Sequence, residues 1–357
     1  MKIALVHDML TQYGGAEKVF KALTEMFPEA PIFTLVYDEA KMGKIFPKNR
    51  INTSFLQKIP LAEEKYEWFL PLMPMATEKY KLDGFDLVIS SASAFAKGII
   101  TPKETKHICY CHTPARYLWI DSEGYINGLN YNKFIKKLIS FVLPRLKSWD
   151  KKSNDRVDEF IANSKNVQKR IKKYYNRDSL IVYPPVETHK FYTSKNKENY
   201  FLAGGRLVSY KKFDLIIESF NKTKLPLKIF GTGPDLKKLK SLANKNIEFL
   251  GFVNEKEKPR LYSKALAYIY PQKEDFGITL VESLASGTPI IAYRAGGAIE
   301  TLPEGVGGEF FDIQTAEELT EKIKNFDPIK YNQEKMKQHA EKFKVEIFKK
   351  EISRFIA

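Results

Sequence analysis

Short apolar runs recur along this chain, and each is followed by a stretch with helical periodicity. In the first half the runs are Ile3–His7, Ile32–Tyr37, Leu87–Ser90, Ile108–Cys111, Glu159–Ala162 and Leu180–Tyr183. In the second half they are Tyr200–Ala203, Leu227–Phe230, Ile247–Leu250, Ala267–Tyr270 and Pro289–Ala292. Strands that are apolar throughout, rather than alternating, belong to parallel sheets covered by helices on both faces. A chain of 357 residues exceeds what one hydrophobic core usually organises. Two series of runs therefore predict two doubly wound α/β domains.

The break falls at Tyr183-Pro184-Pro185, where two prolines remove two backbone donors and forbid both a helix and a central strand. This predicts one domain over residues 1–185, a second over 186–335, and helices without intervening strands over 336–357. Thr315 and Glu318 have the spacing of a capping box at the start of a helix over 315–326.

With only two cysteines the chain is no disulfide-stapled scaffold, and a reducing cytoplasm is the expected setting. No apolar run is long enough to span a bilayer. His7 and Asp8 interrupt the apolar start where a signal peptide would continue, so it reads as a strand. The net charge of +15 is uneven: residues 1–130 are neutral, 131–190 carry +9 and 191–357 carry +6. Such a field suits an anionic partner, and equally a lysine-rich solvated surface.

Four loops, each after a strand, carry the candidate chemistry. Gly14-Gly15 follows the first strand and opens a helix, where backbone amides can meet an anion. Gly204-Gly205-Arg206 with Lys211 offers two cations that could converge on a diphosphate. Gly231-Thr232-Gly233-Pro234 is a third such loop. Singly, each is also an ordinary strand-to-helix turn. The fourth is more specific: Glu274 and Glu282 lie eight positions apart, with Phe276, Gly277 and Ile278 between them at a helix start. A carboxylate can accept two sugar hydroxyls, so the pair could hold the two sugars at the ends of one diphosphate.

Glu274–Glu282, with Phe276-Gly277 and Gly287-x-Pro289, resembles the E-x7-E motif of retaining GT-B glycosyltransferases of family 4. The likeness extends to the Gly14-Gly15, Gly205-Arg206/Lys211 and Gly231-x-Gly233-Pro234 loops. His112-Thr113-Pro114-x-Arg116-Tyr117-x-Trp119 and Ile161-Ala162-Asn163-Ser164 resemble the bacterial mannosyltransferase-like branch that builds O-antigen and related polysaccharides. The resemblance implies two Rossmann-like domains facing a cleft, with a last helix returning to the first domain. It assigns the ribose to Glu282, and the hexose to Glu274 with backbone amides near Phe276, Gly277 and Ile278. Arg206 and Lys211 would neutralise the leaving diphosphate, with His112 near the reacting centre. It implies transfer with retention from a nucleoside diphosphate sugar, GDP-mannose being favoured, to a saccharide or lipid-linked glycan. No further cofactor and no metal are expected: the chain has no D-x-D, and a cation clamp would take the metal's place. Lys212 stands where many members have glycine.

His107, Cys109 and Cys111 alternate on one strand; a buried strand with reduced thiols is the expected reading rather than a metal site. Lys133–Lys147 reads as an amphipathic helix, with Phe134, Ile135, Leu138, Ile139, Val142 and Leu143 in one stripe. It would face the core, or an anionic membrane surface at the inner face of the cytoplasmic membrane. Lys165–Lys173 reads as a solvated basic face. Trp68, Phe69, Leu70, Met73 and Met75 read as core cover or as an exposed apolar loop for a lipid-linked acceptor. Two rivals are a nucleotide-sugar 2-epimerase and a basic nucleic-acid-binding protein; no nucleic-acid-binding signature accompanies the charge, so no nucleic-acid partner is expected.

Overall fold

Seven parallel strands form the first sheet: β1 (Ile3–His7), β2 (Ile32–Thr34), β3 (Ile51–Thr53), β4 (Leu87–Ala92), β5 (Lys106–Cys111), β6 (Glu159–Ala162) and β7 (Ser179–Ile181), in the order β3-β2-β1-β4-β5-β6-β7. The second sheet has six: β8 (Phe201–Gly204), β9 (Leu227–Phe230), β10 (Ile247–Gly251), β11 (Tyr268–Tyr270), β12 (Ile290–Tyr293) and β13 (Gly308–Phe311), in the order β10-β9-β8-β11-β12-β13. The computed structural model describes residues 1–63, 66–120, 122, 126 and 133–356.

Contacts divide the chain into two units, Met1–Tyr183 with Lys349–Ala357, and Pro184–Phe348. Both sheets are doubly wound. In each, the strand order reverses beside the first strand, between β1 and β4 and between β8 and β11. Open α/β sheets bind ligands outside the carboxyl ends of strands at such reversals. The apolar runs are continuous because both faces are covered: consecutive Ala4, Leu5 and Val6 are each fully buried.

Sequence missed both β3 and β13. β3 is a three-residue edge strand, half exposed, whose Ile51-Asn52-Thr53 carries little apolar signal. β13 begins at Gly308, and glycine reads as a break. The run Ile32–Tyr37 leaves the ladder after Thr34, because residues 35–38 pair with Asp8 and Leu10 beyond the end of β1: Leu35 N–H donates to Asp8 O and Leu10 N–H to Val36 O.

Helix 133–152 is longer than Lys133–Lys147. Leu143 and Leu146 are buried in the first unit's core and Phe141 is exposed. The side chains of Phe134, Ile135 and Leu138 lie outside the described residues. The Trp68–Met75 stretch splits: Leu70 and Met73 are buried, Trp68 and Met75 exposed. Helix Ala316–Asn325 is capped by Thr315, but Glu318 reaches back to the Asp312 and Ile313 amides rather than closing a box on Thr315. Where the sequence treats 336–357 as one terminal segment, the contacts keep residues to Phe348 with the second unit. Phe343 stacks edge-on against Phe276 at 5.4 Å, and its carbonyl accepts from Val186 N–H. Only Lys349 onward joins the first unit, with Lys349 Nζ 2.8 Å from Glu25.

Candidate active site

In the second unit, three neighbouring strands, β9, β8 and β11, deliver three loops at their carboxyl ends. The first two interlock. Leu207 N–H donates to Thr232 O and Gly205 N–H to Phe230 O. Gly231 sits so close to Gly205 that a Cβ there would lie 1.9 Å from the Gly205 carbonyl oxygen. Only glycine fits at Gly231, so the two loops are held together by backbone contact.

Lys211 rises from the first loop and meets Glu274 from the third, Nζ to Oε1 at 2.8 Å. The pair is largely buried, with the side chains 11% and 19% exposed. Burial works against the Lys211 charge, but the Glu274 carboxylate and then Tyr210 outweigh it, and the ammonium is held above the usual lysine range. Tyr270 Oη donates to the other oxygen of Glu274 at 2.8 Å. Burial, then the Glu274 charge, push the Tyr270 hydroxyl well up, so it remains a donor. Behind Glu274, Gly297 N–H donates to its carbonyl at 2.9 Å, and Thr301 Oγ1 donates to Phe276 O at 3.0 Å.

Gly277 has φ +96° and precedes helix Ile278–Ala285. A Cβ there would lie 2.9 Å from Tyr270 Oη, so the turn that launches this helix needs glycine for both conformation and space. Glu282 lies on the helix and is only 2% exposed. Tyr262 Oη donates to Glu282 Oε2 at 3.3 Å. Tyr268 Oη donates to Gly204 O at 2.9 Å, tying β11 to the glycine loop after β8. Arg206 is exposed, and among the described residues it makes no ion pair. Lys212 adopts φ 56°, ψ 37°, the left-handed conformation glycine would take without strain.

Arg206, Lys211, Glu274, Phe276, Gly277, Ile278, Glu282, Gly205, Gly231 and Gly233 thus all belong to the second unit, while Gly14, Gly15 and His112 belong to the first. Gly14 is the N-cap of helix Gly15–Met26, and its N–H donates to Glu17 Oε2 at 2.7 Å. His112 follows β5 directly. Its ring packs edge-on against Tyr110 at 5.2 Å and its Nε2 lies 2.8 Å from Ser91 Oγ. Burial first, and the neighbouring His7 second, push the imidazole down to about 3, so it is neutral.

Sequence missed Tyr262 and Tyr270 as supports of the two glutamates, and Tyr268 as the tie to the glycine loop. The signal was present: Tyr268 and Tyr270 share one face of a buried strand running into Glu274, and a buried tyrosine hydroxyl needs a partner. It also missed Asp8, whose carboxylate accepts from the amides of Ser93, Ala94, Phe95 and Ala96 at 2.6 to 3.0 Å. His107 is engaged at both nitrogens: Nδ1 donates to Arg156 O at 2.8 Å, which leaves Nε2 to accept from Ser90 Oγ at 2.8 Å.

Two doubly wound units, the second carrying interlocked glycine loops and a paired acid and base at the carboxyl ends of its strands, make up the GT-B fold. The chain belongs to the glycosyltransferases of this fold. Residues 13–190 match the family described as Glycosyltransferase Family 4, and residues 185–343 match Glycosyl transferases group 1. O-antigen chain mannosyltransferase RfbU of Salmonella typhimurium is 31% identical over 53% of this chain and 60% of its own length. O-antigen chain mannosyltransferase C of Escherichia coli is 27% identical over 39% and 43%. The chain spans about half the length of the curated relatives it matches. Among solved structures, Anabaena HepE in complex with UDP and glucose superposes with a TM-score of 0.72 at 17% identity, covering 100% of this chain and 99% of that one.

Proposed function

We propose that this protein is a retaining, metal-independent hexosyltransferase that transfers mannose from GDP-mannose to a growing, lipid-linked surface glycan. The observation that carries this reading is the Lys211–Glu274 pair at the carboxyl ends of β8 and β11, beside the exposed Arg206. A leaving nucleoside diphosphate gains negative charge as the glycosidic bond breaks. Arg206 and Lys211 would stabilise that charge more in the transition state than in the ground state. Glu274 would hold the hexose and Glu282 the ribose. The acceptor hydroxyl would attack from the face the diphosphate leaves, its proton passing to a donor phosphate oxygen. The new bond then keeps the anomeric configuration, and no enzymic carboxylate serves as nucleophile, unlike retaining glycoside hydrolysis.

Mannose is favoured by the names of the two O-antigen relatives, which are mannosyltransferases. Against it stands the HepE complex, which holds UDP. The lipid-linked acceptor, and attachment at an anionic membrane face, rest on the first unit's surface: Phe141 and Trp68 are exposed, and Lys137, Arg145, Lys147, Lys151 and Lys152 line helix 133–152 as exposed cations. Among the described residues no helix is long and apolar enough to cross a membrane.

The test is a melting-temperature screen with GDP-mannose, UDP-glucose and an ADP-sugar, followed by turnover of the stabilising donor with and without EDTA. A ligand at a hundred times its dissociation constant adds about 2.7 kcal/mol, enough to read clearly. Stabilisation by GDP-mannose alone, with turnover indifferent to EDTA, is the expected result. Stabilisation by UDP-glucose alone would overturn the donor, and abolition by EDTA with rescue by Mg²⁺ would overturn the clamp.

A further inference from the structure

His7, Ser91 and His112 lie side by side at the carboxyl ends of β1, β4 and β5, at the strand-order reversal of the first sheet. All three are buried, as is Glu17. Their polar atoms form one unbroken chain. Glu17 Oε1 lies 3.5 Å from His7 Nε2, His7 Nδ1 lies 3.1 Å from Ser91 Oγ, and Ser91 Oγ lies 2.8 Å from His112 Nε2. The other Glu17 oxygen accepts the N–H of Gly14, so one carboxylate joins the glycine loop to the histidine chain. The His7 ring is pinned by stacking on Phe20 at 4.6 Å.

We propose that Glu17, His7 and Ser91 are positioning residues that set which nitrogen of His112 carries the proton. The proposal rests on the reading of His112 as a group near the reacting sugar. The bond directions follow from chemistry. At alkaline pH, with the rings uncharged, a Glu17 carboxylate only accepts, so His7 Nε2 carries the ring's one proton and His7 Nδ1 accepts. Ser91 has one hydroxyl proton and gives it to His7 Nδ1. Ser91 Oγ then accepts from His112 Nε2–H, and His112 Nδ1 keeps its lone pair. Glu17, three hydrogen bonds away, thereby dictates that His112 presents an acceptor rather than a donor at Nδ1.

The same logic predicts an inversion in Glu17→Gln. The Gly14 N–H holds the amide oxygen, which turns the amide N–H group toward His7 Nε2. His7 then accepts at Nε2 and carries its proton on Nδ1, donating to Ser91. Ser91 turns its hydroxyl to His112 Nε2, and the His112 proton moves to Nδ1.

The full chain labelled with ¹⁵N-histidine, at alkaline pH where both rings are uncharged, reports the tautomer of each imidazole by NMR; His112→Gln assigns the signal. The wild type should show His112 protonated at Nε2 and Glu17→Gln should show it at Nδ1. Glu17→Gln should also lower kcat at least about tenfold with KM for donor within about twofold of wild type. Ser91→Ala, which deletes one oxygen and tests the chain should Glu17→Gln fail to fold, should leave His112 with mixed tautomers, and Ser91→Thr should restore the Nε2–H form. An unchanged tautomer in both Glu17→Gln and Ser91→Ala would overturn the relay. A flipped tautomer with unchanged kcat would overturn instead the placement of His112 at the reacting centre.

Discussion

Lys211 Nζ lies 2.8 Å from Glu274 Oε1, so the cation assigned to the diphosphate and the carboxylate assigned to the hexose are already in contact. With Tyr270 Oη on the second Glu274 oxygen, the carboxylate is oriented from two sides. Glu274 holds the Lys211 ammonium charged in a largely buried pair, and the geometry of the loop after β8 is coupled to that of the loop after β11. Removing one member of such a pair leaves the other charge poorly compensated.

Arg206 and Lys211 should therefore separate in their mutants. Lys211→Ala should cut turnover about a hundredfold or more and also lower the melting temperature, because Glu274 loses its ion pair. Arg206→Ala should cut turnover about as much with the melting temperature unchanged, since the exposed guanidinium makes no ion pair among the described residues. Steady-state kinetics and thermal denaturation of the two variants provide the check. Near wild-type turnover in both would remove the clamp, and a stable Lys211→Ala would show that the Glu274 contact carries no structural weight.

Two buried histidines should make the protein acid-labile in a defined window. Burial pushes His107 down to about 4 and His112 down to about 3. Both folded values lie below the unfolded value of about 6.5, so the unfolded chain binds more protons between them. The stability these neutral rings contribute is fully present above about pH 6.5 and is lost as pH falls toward their folded values. Together they should add up to two protons of uptake on unfolding near pH 5, a slope of about 2.7 kcal/mol per pH unit at most. His107→Gln should remove one proton from that slope. Denaturant titrations across the window measure it, and a slope unaltered by His107→Gln would contradict the assignment.

The buried strands were legible in the sequence, because continuous apolar runs such as Ile3–His7 and Leu227–Phe230 suit parallel sheets covered on both faces, but the strand order that creates the two reversal points was not. Strands β3 and β13 were not legible either: Ile51-Asn52-Thr53 of β3 carries little apolar signal, and β13 opens on Gly308, which reads as a break. The glycine loops and both glutamates could be found from spacing. Their supports could not: Tyr262 meets Glu282 from 20 residues upstream, and Ser91 meets His112 from 21. Such pairs are brought together by helix packing and by strand order, which no local pattern encodes. Lys212 was legible as a departure from glycine, and its left-handed backbone shows that the loop keeps the glycine conformation without the glycine.

That strain gives a stability prediction. Lys212 and Lys224 flank helix Phe213–Thr223, both with left-handed backbones, at φ 56° and φ 60°. A non-glycine residue there costs about 1–2 kcal/mol, partly offset by the greater freedom of glycine in the unfolded chain. Lys224→Gly, remote from the two glutamates in sequence, should stabilise the second unit by about 0.5–1 kcal/mol, and Lys212→Gly by a similar amount. Urea denaturation reads both. A loss of stability in Lys224→Gly would mean that its side chain contributes more than its backbone costs.

The two glutamates offer the sharpest division of labour. Glu282 is 2% exposed, on a helix, and its Oε2 accepts from Tyr262. Glu274 is 19% exposed, in a loop, and faces Lys211. A ribose contact is made equally in the ground state and the transition state, so its loss weakens binding throughout. A hexose contact that strengthens as the anomeric carbon becomes cationic is felt mainly in the chemical step. Glu282→Gln should therefore raise KM for the donor and weaken binding of GDP itself. Glu274→Gln should lower kcat; it also releases Lys211 from its ion pair, so GDP affinity should hold or rise slightly, because the ammonium becomes more available to the diphosphate. Isothermal titration with GDP, and with UDP in parallel, needs no acceptor and no turnover. Should Glu274→Gln lose nucleotide affinity while Glu282→Gln keeps it, the two roles are exchanged, and Lys211 serves to hold Glu274 rather than the phosphate.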